Sequence, residues 1–130
     1  MSTFNAIGVA GTGVTVYRKW LDAVSDNIAN MDNVSRTSEN AFQARYVVAQ
    51  EAQDGNGAQV GGIAYGSAEG KLSYEPDNPL ADTEGYVRRP DIDLGSQMAQ
   101  MIMAQRAYQA NLSVVDRARD SYTAAINLGK

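Results

Sequence analysis

Both ends of the chain repeat apolar residues every seven positions, and that repeat restricts the fold more than any other feature. Near the N-terminus, Ile7, Val14, Leu21 and Ile28 form one stripe, and Ala10, Tyr17, Val24 and Met31 fill a second. An a/d pattern held for about four heptads is the spacing of a helix packed lengthwise against another. Arg18, Lys19, Asp22 and Asp26 fall between the stripes, and Ser2 or Thr3 can cap the start. The last third gives a second helix from Leu94 to Leu128. Its seam runs through Leu94, Met98, Met101, Gln105, Tyr108, Leu112, Val115, Arg119, Tyr122 and Ile126. Asp91 or Asp93, after Pro90, supplies an N-cap, and Gly129 a stop. At 1.5 Å per residue these helices are roughly 40 and 50 Å long. The mean globular helix has only about 11–12 residues.

Neither helix is expected to stand alone. Gly8, Gly11 and Gly13 lie inside the first, and each costs about 1 kcal/mol relative to alanine. Such a helix persists only when packed, and small residues allow a neighbour to come close. Gln105 and Arg119 interrupt the second seam, where polar residues fix register at some cost in stability.

The middle is of a different kind. Arg45 to Gln50 reads as a strand, Asp54-Gly55-Asn56-Gly57 as a turn, and Gln59 to Tyr65 as the returning strand of a hairpin. Lys71 to Tyr74 is a further short strand ending at the Pro76–Pro79 turn, and Met31 to Asn40 is a loop. The expected fold class is therefore mainly α with a small β insertion: two long terminal helices packed antiparallel, coiled-coil-like, around a short β-rich segment. The expected division is 1–33 and 91–130 for the helices and 34–90 for the insertion, which has too few large apolar residues for much stability of its own.

Composition narrows the chemistry. The 130 residues include no cysteine and no histidine, so disulfides, thiolate sites and imidazole catalysis or ligation are excluded. A net charge of −4 argues against nucleic acid as a partner. Met1 to Asn5 lacks the basic stretch and apolar run of a secretory signal, and no run approaches the roughly 20 apolar residues of a membrane span.

Three constellations invite a catalytic or binding reading. Gly8-Val9-Ala10-Gly11-Thr12-Gly13 has the order GxxGxG, not GxGxxG, and no strand precedes it, so helix packing is preferred to phosphate binding. Asp91-Ile92-Asp93 starts like a calcium loop but lacks an acidic twelfth position, so it reads as helix capping. Asp77, Asp82 and Glu84 could pair as acid and base, yet carboxylates in a turn-rich loop are ordinarily there for solvation. No catalytic, cofactor or metal residue is assigned, and no small-molecule substrate is expected.

Three ordered segments resemble those of flagellar axial proteins, the rod, hook and hook-associated subunits. Ser25-Asp26-Asn27-Ile28-Ala29-Asn30 resembles the S-x-N-[IL]-A-N motif that closes their N-terminal helix. Pro79-Leu80-Ala81-Asp82-Thr83-Glu84-Gly85-Tyr86-Val87 resembles a segment of the proximal rod proteins. Met101 to Asn111, with Arg106 and Gln109, resembles their C-terminal motif M-I-x-A-x-R-x-Y-Q-A-N. The chain departs from the pattern at Ser96-Gln97, where glutamates are common, and at Phe42-Gln43-Ala44-Arg45.

The resemblance implies a structural subunit of a helical rod that crosses the periplasm. Its partners would be other rod proteins and copies of itself. Export would go through the flagellar type III apparatus without a cleaved signal. The terminal helices would form inner layers, with the insertion further out. The stripe residues Ile7, Val14, Tyr17, Leu21, Val24 and Ile28, with Met98, Met101, Tyr108, Leu112, Val115, Tyr122 and Ile126, would then form the assembly interface. The alternative is a soluble helical adaptor or chaperone-like module that binds one partner in a discrete complex; an enzyme is a distant third.

Overall fold

The stripes on the terminal segments cannot be buried by one helix alone, and two helices answer each other. In the computed structural model, which describes residues 3–129, α1 spans Thr3–Ala29 and α2 spans Leu94–Leu128. They pack antiparallel. Partners fall in number along α2 as they rise along α1: Phe4 meets Tyr122 with ring centroids 4.9 Å apart, Gly13 meets Asn111, and Asn27 meets Gln97. Asp93 caps α2, its carboxylate accepting from the Ser96 N–H at 2.7 Å. Asn30 closes α1 by donating from its side chain to the Asp26 carbonyl at 2.8 Å. The cap expected from Ser2 or the Thr3 side chain lies outside the described residues.

The seam runs one residue away from part of the predicted one. On α2 the inward run is Gln97, Met101, Ala104, Tyr108, Asn111, Val115 and Ala118, with alternating steps of four and three, and Gln100 and Ala107 are half-buried beside it. Met101, Tyr108 and Val115 stand where the sequence places them. Leu94, Met98, Gln105, Leu112, Arg119 and Ile126 do not; all are exposed. On α1 the inward run is Ala10, Gly13, Tyr17, Trp20, Val24 and Asn27, with Ile7, Val14, Leu21 and Ile28 half-buried beside it. Small and amide side chains, not large apolar ones, fill the second seam position. Of the three helix glycines only Gly13 explains itself by close approach, since a Cβ there would meet the Asn111 amide at 2.8 Å; Gly8 and Gly11 face open space.

Between the helices lie β1 (Arg45–Glu51), β2 (Ala58–Tyr65), β3 (Lys71–Tyr74) and β4 (Tyr86–Arg89), as two two-stranded sheets, β1–β2 and β3–β4. β1, β2 and β3 fall where the sequence puts them. β4 is an addition, antiparallel to β3 with Lys71 opposite Arg89 and Tyr74 opposite Tyr86.

The chain gathers into two compact units. The first joins residues 3–21, 47–62 and 102–129. In it the Thr12 hydroxyl donates to the Val9 carbonyl at 2.6 Å and accepts from the Ala58 N–H at 3.1 Å, fixing the hairpin to α1. Gly57, at φ 109°, lies so close to Thr12 that a side chain would collide with it.

The second unit joins residues 22–46 and 63–101. Its core holds Ala23, Val24, Ala41, Ala44 and Val87 around two buried amides, Asn27 and Gln97. Asn27 spends both its N–H groups, one on the Arg45 carbonyl at 2.9 Å and one on the Gln97 side-chain oxygen at 3.0 Å. Its own oxygen accepts the Arg45 N–H at 2.8 Å. Ser35 and Arg88 exchange backbone bonds of 2.9 Å, adding the loop after α1 to the edge of β4. The Arg88 guanidinium then donates to the Thr37 carbonyl at 2.8 Å.

Two predictions follow from this unit. Replacing Asn27 by alanine leaves both polar groups of Arg45 and the Gln97 oxygen without their partner in a dry site. A loss of about 2 kcal/mol or more is expected in denaturant titration, because each stranded polar group costs about 1–3 kcal/mol. Glu75 is held at a pKa of about 2 against the usual 4.5, chiefly by the 2.6 Å bond from Arg89 and then by Asn78 and Ser73. That contribution is complete above pH 4.5 and is lost as pH falls towards 2. In Glu75→Gln the near-ultraviolet signal of the adjacent tyrosines should vary less with pH over that window than in the parent chain.

Candidate functional site

An assembly surface is built from what a subunit leaves uncovered, and each unit leaves a distinct set. In the first unit, Leu112, Tyr122 and Ile126 of α2 are exposed, as are Ile102, Met103 and Val114. Leu112 is 37% exposed and Ile126 46%. Of these, Leu112, Tyr122 and Ile126 fall on one side of α2 by helical spacing, and exposed apolar stripes mark interaction faces. The same unit has a groove of about 240 Å³ between α1 and the hairpin, lined by Gly13, Val16, Tyr17, Trp20, Val47, Ala49 and Ala58. Tyr17 and Trp20 stack along it with centroids 6.0 Å apart.

In the second unit the exposed apolar groups include Ile63 and Tyr65 at the end of β2, Leu94 and Met98 on α2, and one face of the β3–β4 ribbon. On that face Leu72, Tyr74 and Tyr86 stand together, the two rings edge to face at 5.3 Å. The turn that carries them is held by Asp82, whose carboxylate accepts from the N–H groups of Glu84 and Tyr86, each at 2.9 Å. Those bonds, that to Tyr86 first, hold its carboxyl below the ordinary range. Gly85, at φ 87°, closes the turn under the Tyr74 ring, where a Cβ would come within 2.8 Å. Asp82, Gly85 and Tyr86 thus build a tightly bonded turn.

The predicted interface residues divide by accessibility. Ile7, Val14, Tyr17, Leu21, Ile28, Met101, Tyr108 and Val115 are half-buried and Val24 is buried, whereas Met98, Leu112, Tyr122 and Ile126 are open to a neighbour. The motif residues divide too. Asn27 and Asn111 work inside the fold: Asn111 packs against Gly13 and donates to the Ala107 carbonyl at 2.9 Å. Ala29, Pro79, Arg106 and Gln109 are exposed, and Leu80 and Asn30 are half-buried. Register is not carried by Gln105 or Arg119, both exposed; the polar pair in the seam is Asn27 with Gln97. Gln97 falls at a departure from the resembled pattern, and nothing in its local sequence identifies it. The other departure secures the hairpin base, with Gln43 donating to the Gly66 carbonyl at 2.9 Å and Arg45 pairing with Asp26 at 2.9 Å.

Among the described residues no group of acidic side chains could hold a metal ion, and no helix is long and apolar enough to cross a membrane. Residues 83–128 match the family model for the C-terminal region of the flagellar basal body rod FlgEFG proteins. The chain is 33% identical to the flagellar basal-body rod protein FlgC of Salmonella typhimurium and 34% identical to that of Yersinia enterocolitica, over the whole of both chains in each case. It is 27% identical to the FlgC of Bacillus subtilis, again over both full lengths. With β4 and α2 inside the matched region, and the similarity to FlgC relatives of 33–34% identity running over the full chain, the chain belongs to the FlgC family of flagellar basal-body rod proteins.

Proposed function

We propose that this chain is a structural subunit of the flagellar basal-body rod, polymerising through its terminal helices to transmit torque. The observation that carries the reading is the outward set on α2. Met98, Leu112 and Ile126 remain exposed although the helix already packs against α1, and Tyr122 stays partly open beside Phe4. Apolar area removed from water contributes about 25 cal/mol per Å². Repeated lateral contacts therefore stabilise a polymer of such helices, and the rod-protein relatives name the assembly. Contacts that do not close on themselves generate a helix, whereas an adaptor would stop at a discrete complex; no observation favours the adaptor.

The partners in this reading are copies of the chain and other rod proteins, with the flagellar type III apparatus as the export route. Nucleic acid and small-molecule substrates have no part, and the function is mechanical rather than enzymatic. The location is the periplasmic rod of the basal body, reached without removal of an N-terminal signal. Intact-mass spectrometry of purified basal bodies checks the last point: the expected mass includes the residues of α1, and loss of some 20 N-terminal residues excludes it.

The assembly reading itself makes a sharper prediction. Leu112→Asp should fold and be exported, because the position is exposed in the subunit, yet give no rods and no motility. A carboxylate held at an apolar contact costs several kcal/mol when it is buried unpaired. Arg117→Glu should be milder, since an exposed charge is worth about 1 kcal/mol or less. Immunoblotting of exported protein and electron microscopy of basal bodies give the two readouts. Normal rods in Leu112→Asp beside absent rods in Arg117→Glu would mean that the helices meet through their polar faces.

A further inference from the structure

The charge of the chain is divided unevenly between its two units. Among the described residues, unit 1 carries five Lys/Arg and four Asp/Glu, a net of +1; unit 2 carries five and eleven, a net of −6. The excess is not absorbed by ion pairs. In unit 2, Asp77 and Glu84 lie in the turn between β3 and β4, exposed and in no ion pair among the described residues. They belong to the connection that joins Tyr74 to Tyr86, whose rings are exposed with Leu72. In unit 1, Arg18, Lys19 and Arg106 are exposed and form no ion pair among the described residues. The pairing that sets Gly13 beside Asn111 brings residue 18 level with residue 106, so the three cations occupy one height of the helix pair.

We propose that the β3–β4 turn of one copy, with its tyrosine pair and the carboxylates Asp77 and Glu84, docks on the Arg18–Lys19–Arg106 height of a second copy. This rests on the rod-subunit reading and adds to it one specific head-to-tail contact. The occupant follows from charge. An acidic rim facing a like rim is repelled, so this surface does not suit a two-fold contact with itself. The complementary cations stand on a different unit of the same sequence, and a patch that meets a different patch makes the open, non-closing contact of a polymer. The tyrosines suit the centre of such a contact, since aromatic rings anchor interfaces while the charges at the rim set register and partner. Asp82, Arg88 and Arg89 are not part of the docking set, because their bonds hold the turn itself.

The test is a charge swap in cells that lack their own copy of this chain, read as intact rods per cell and as motility. Asp77→Lys with Glu84→Lys, and separately Arg18→Glu with Lys19→Glu, should each lower rod recovery by about tenfold or more with export unchanged, since like charges then face each other across the contact. The four substitutions in one chain should restore rods, because both sides are reversed in every copy. Raising salt should weaken the parental contact, whose charges are screened over about 8 Å at physiological ionic strength. Normal rods in both reversals overturn the proposal and leave the subunit reading intact, since that reading stands or falls with Leu112→Asp. Loss in both without rescue in the fourfold variant also overturns it and points to a different rod protein as the partner of one surface.

Discussion

The buried amide of Asn27 is the interaction on which the rest of the second unit depends. It is reached by a backbone donor, a backbone acceptor and the Gln97 side chain, so one residue ties the end of α1 to the first residue of β1 and the first turn of α2. A buried polar group is worth little when satisfied and costs much when stranded. Its effect is therefore to exclude alternatives. A slide of α2 by one turn would leave the Gln97 oxygen and one N–H of the Asn27 amide unpaired in the core. The apolar seam cannot do this, because alanines and half-buried tyrosines pack nearly as well one heptad along.

The small seam has a second consequence. Ala10, Gly13, Ala104 and Asn111 leave little bulk between the helices, and Gly13 admits the Asn111 side chain where a Cβ would collide with it. Close approach of this kind gains dispersion contacts over the whole length of a helix pair. It also turns Met98, Leu112 and Ile126 outward, since each heptad has only two inward positions and small residues occupy one of them. The sites that would bury large side chains in a self-sufficient helical pair are therefore given over to neighbours.

Much of this was legible in the sequence, and the rest was hidden for identifiable reasons. The sevenfold repeat announced two long antiparallel helices, and the Asp54–Gly57 turn between alternating residues announced the β1–β2 hairpin. The repeat gave one stripe of each seam correctly and the other a residue late. Leu112 and Met98 are the more apolar choice, whereas the inward residues are Asn111 and Gln97, whose partners Gly13 and Asn27 lie far away in the chain. β4 was missed because Tyr86-Val87-Arg88-Arg89 has a single buried side chain, Val87, and runs straight into Pro90. Its strand character comes from pairing with β3 and Ser35, not from its own pattern.

The motif residues make the same point about function. Asn27, Gly85 and Asn111 are fixed by the fold: one satisfies a buried network, one adopts a positive φ beneath a tyrosine ring, and one fills the space left by a glycine. Arg106 and Gln109, in the same helical motif as Asn111, touch nothing that would hold them inside the subunit and stand in water. A helix that alternates inward amides with outward cations and methionines presents two different chemistries at every turn. The first closes the subunit on itself. The second gains its stabilisation only when another chain arrives, which is the division of labour a polymerising subunit requires, because a surface satisfied at home has nothing left to contribute to a rod.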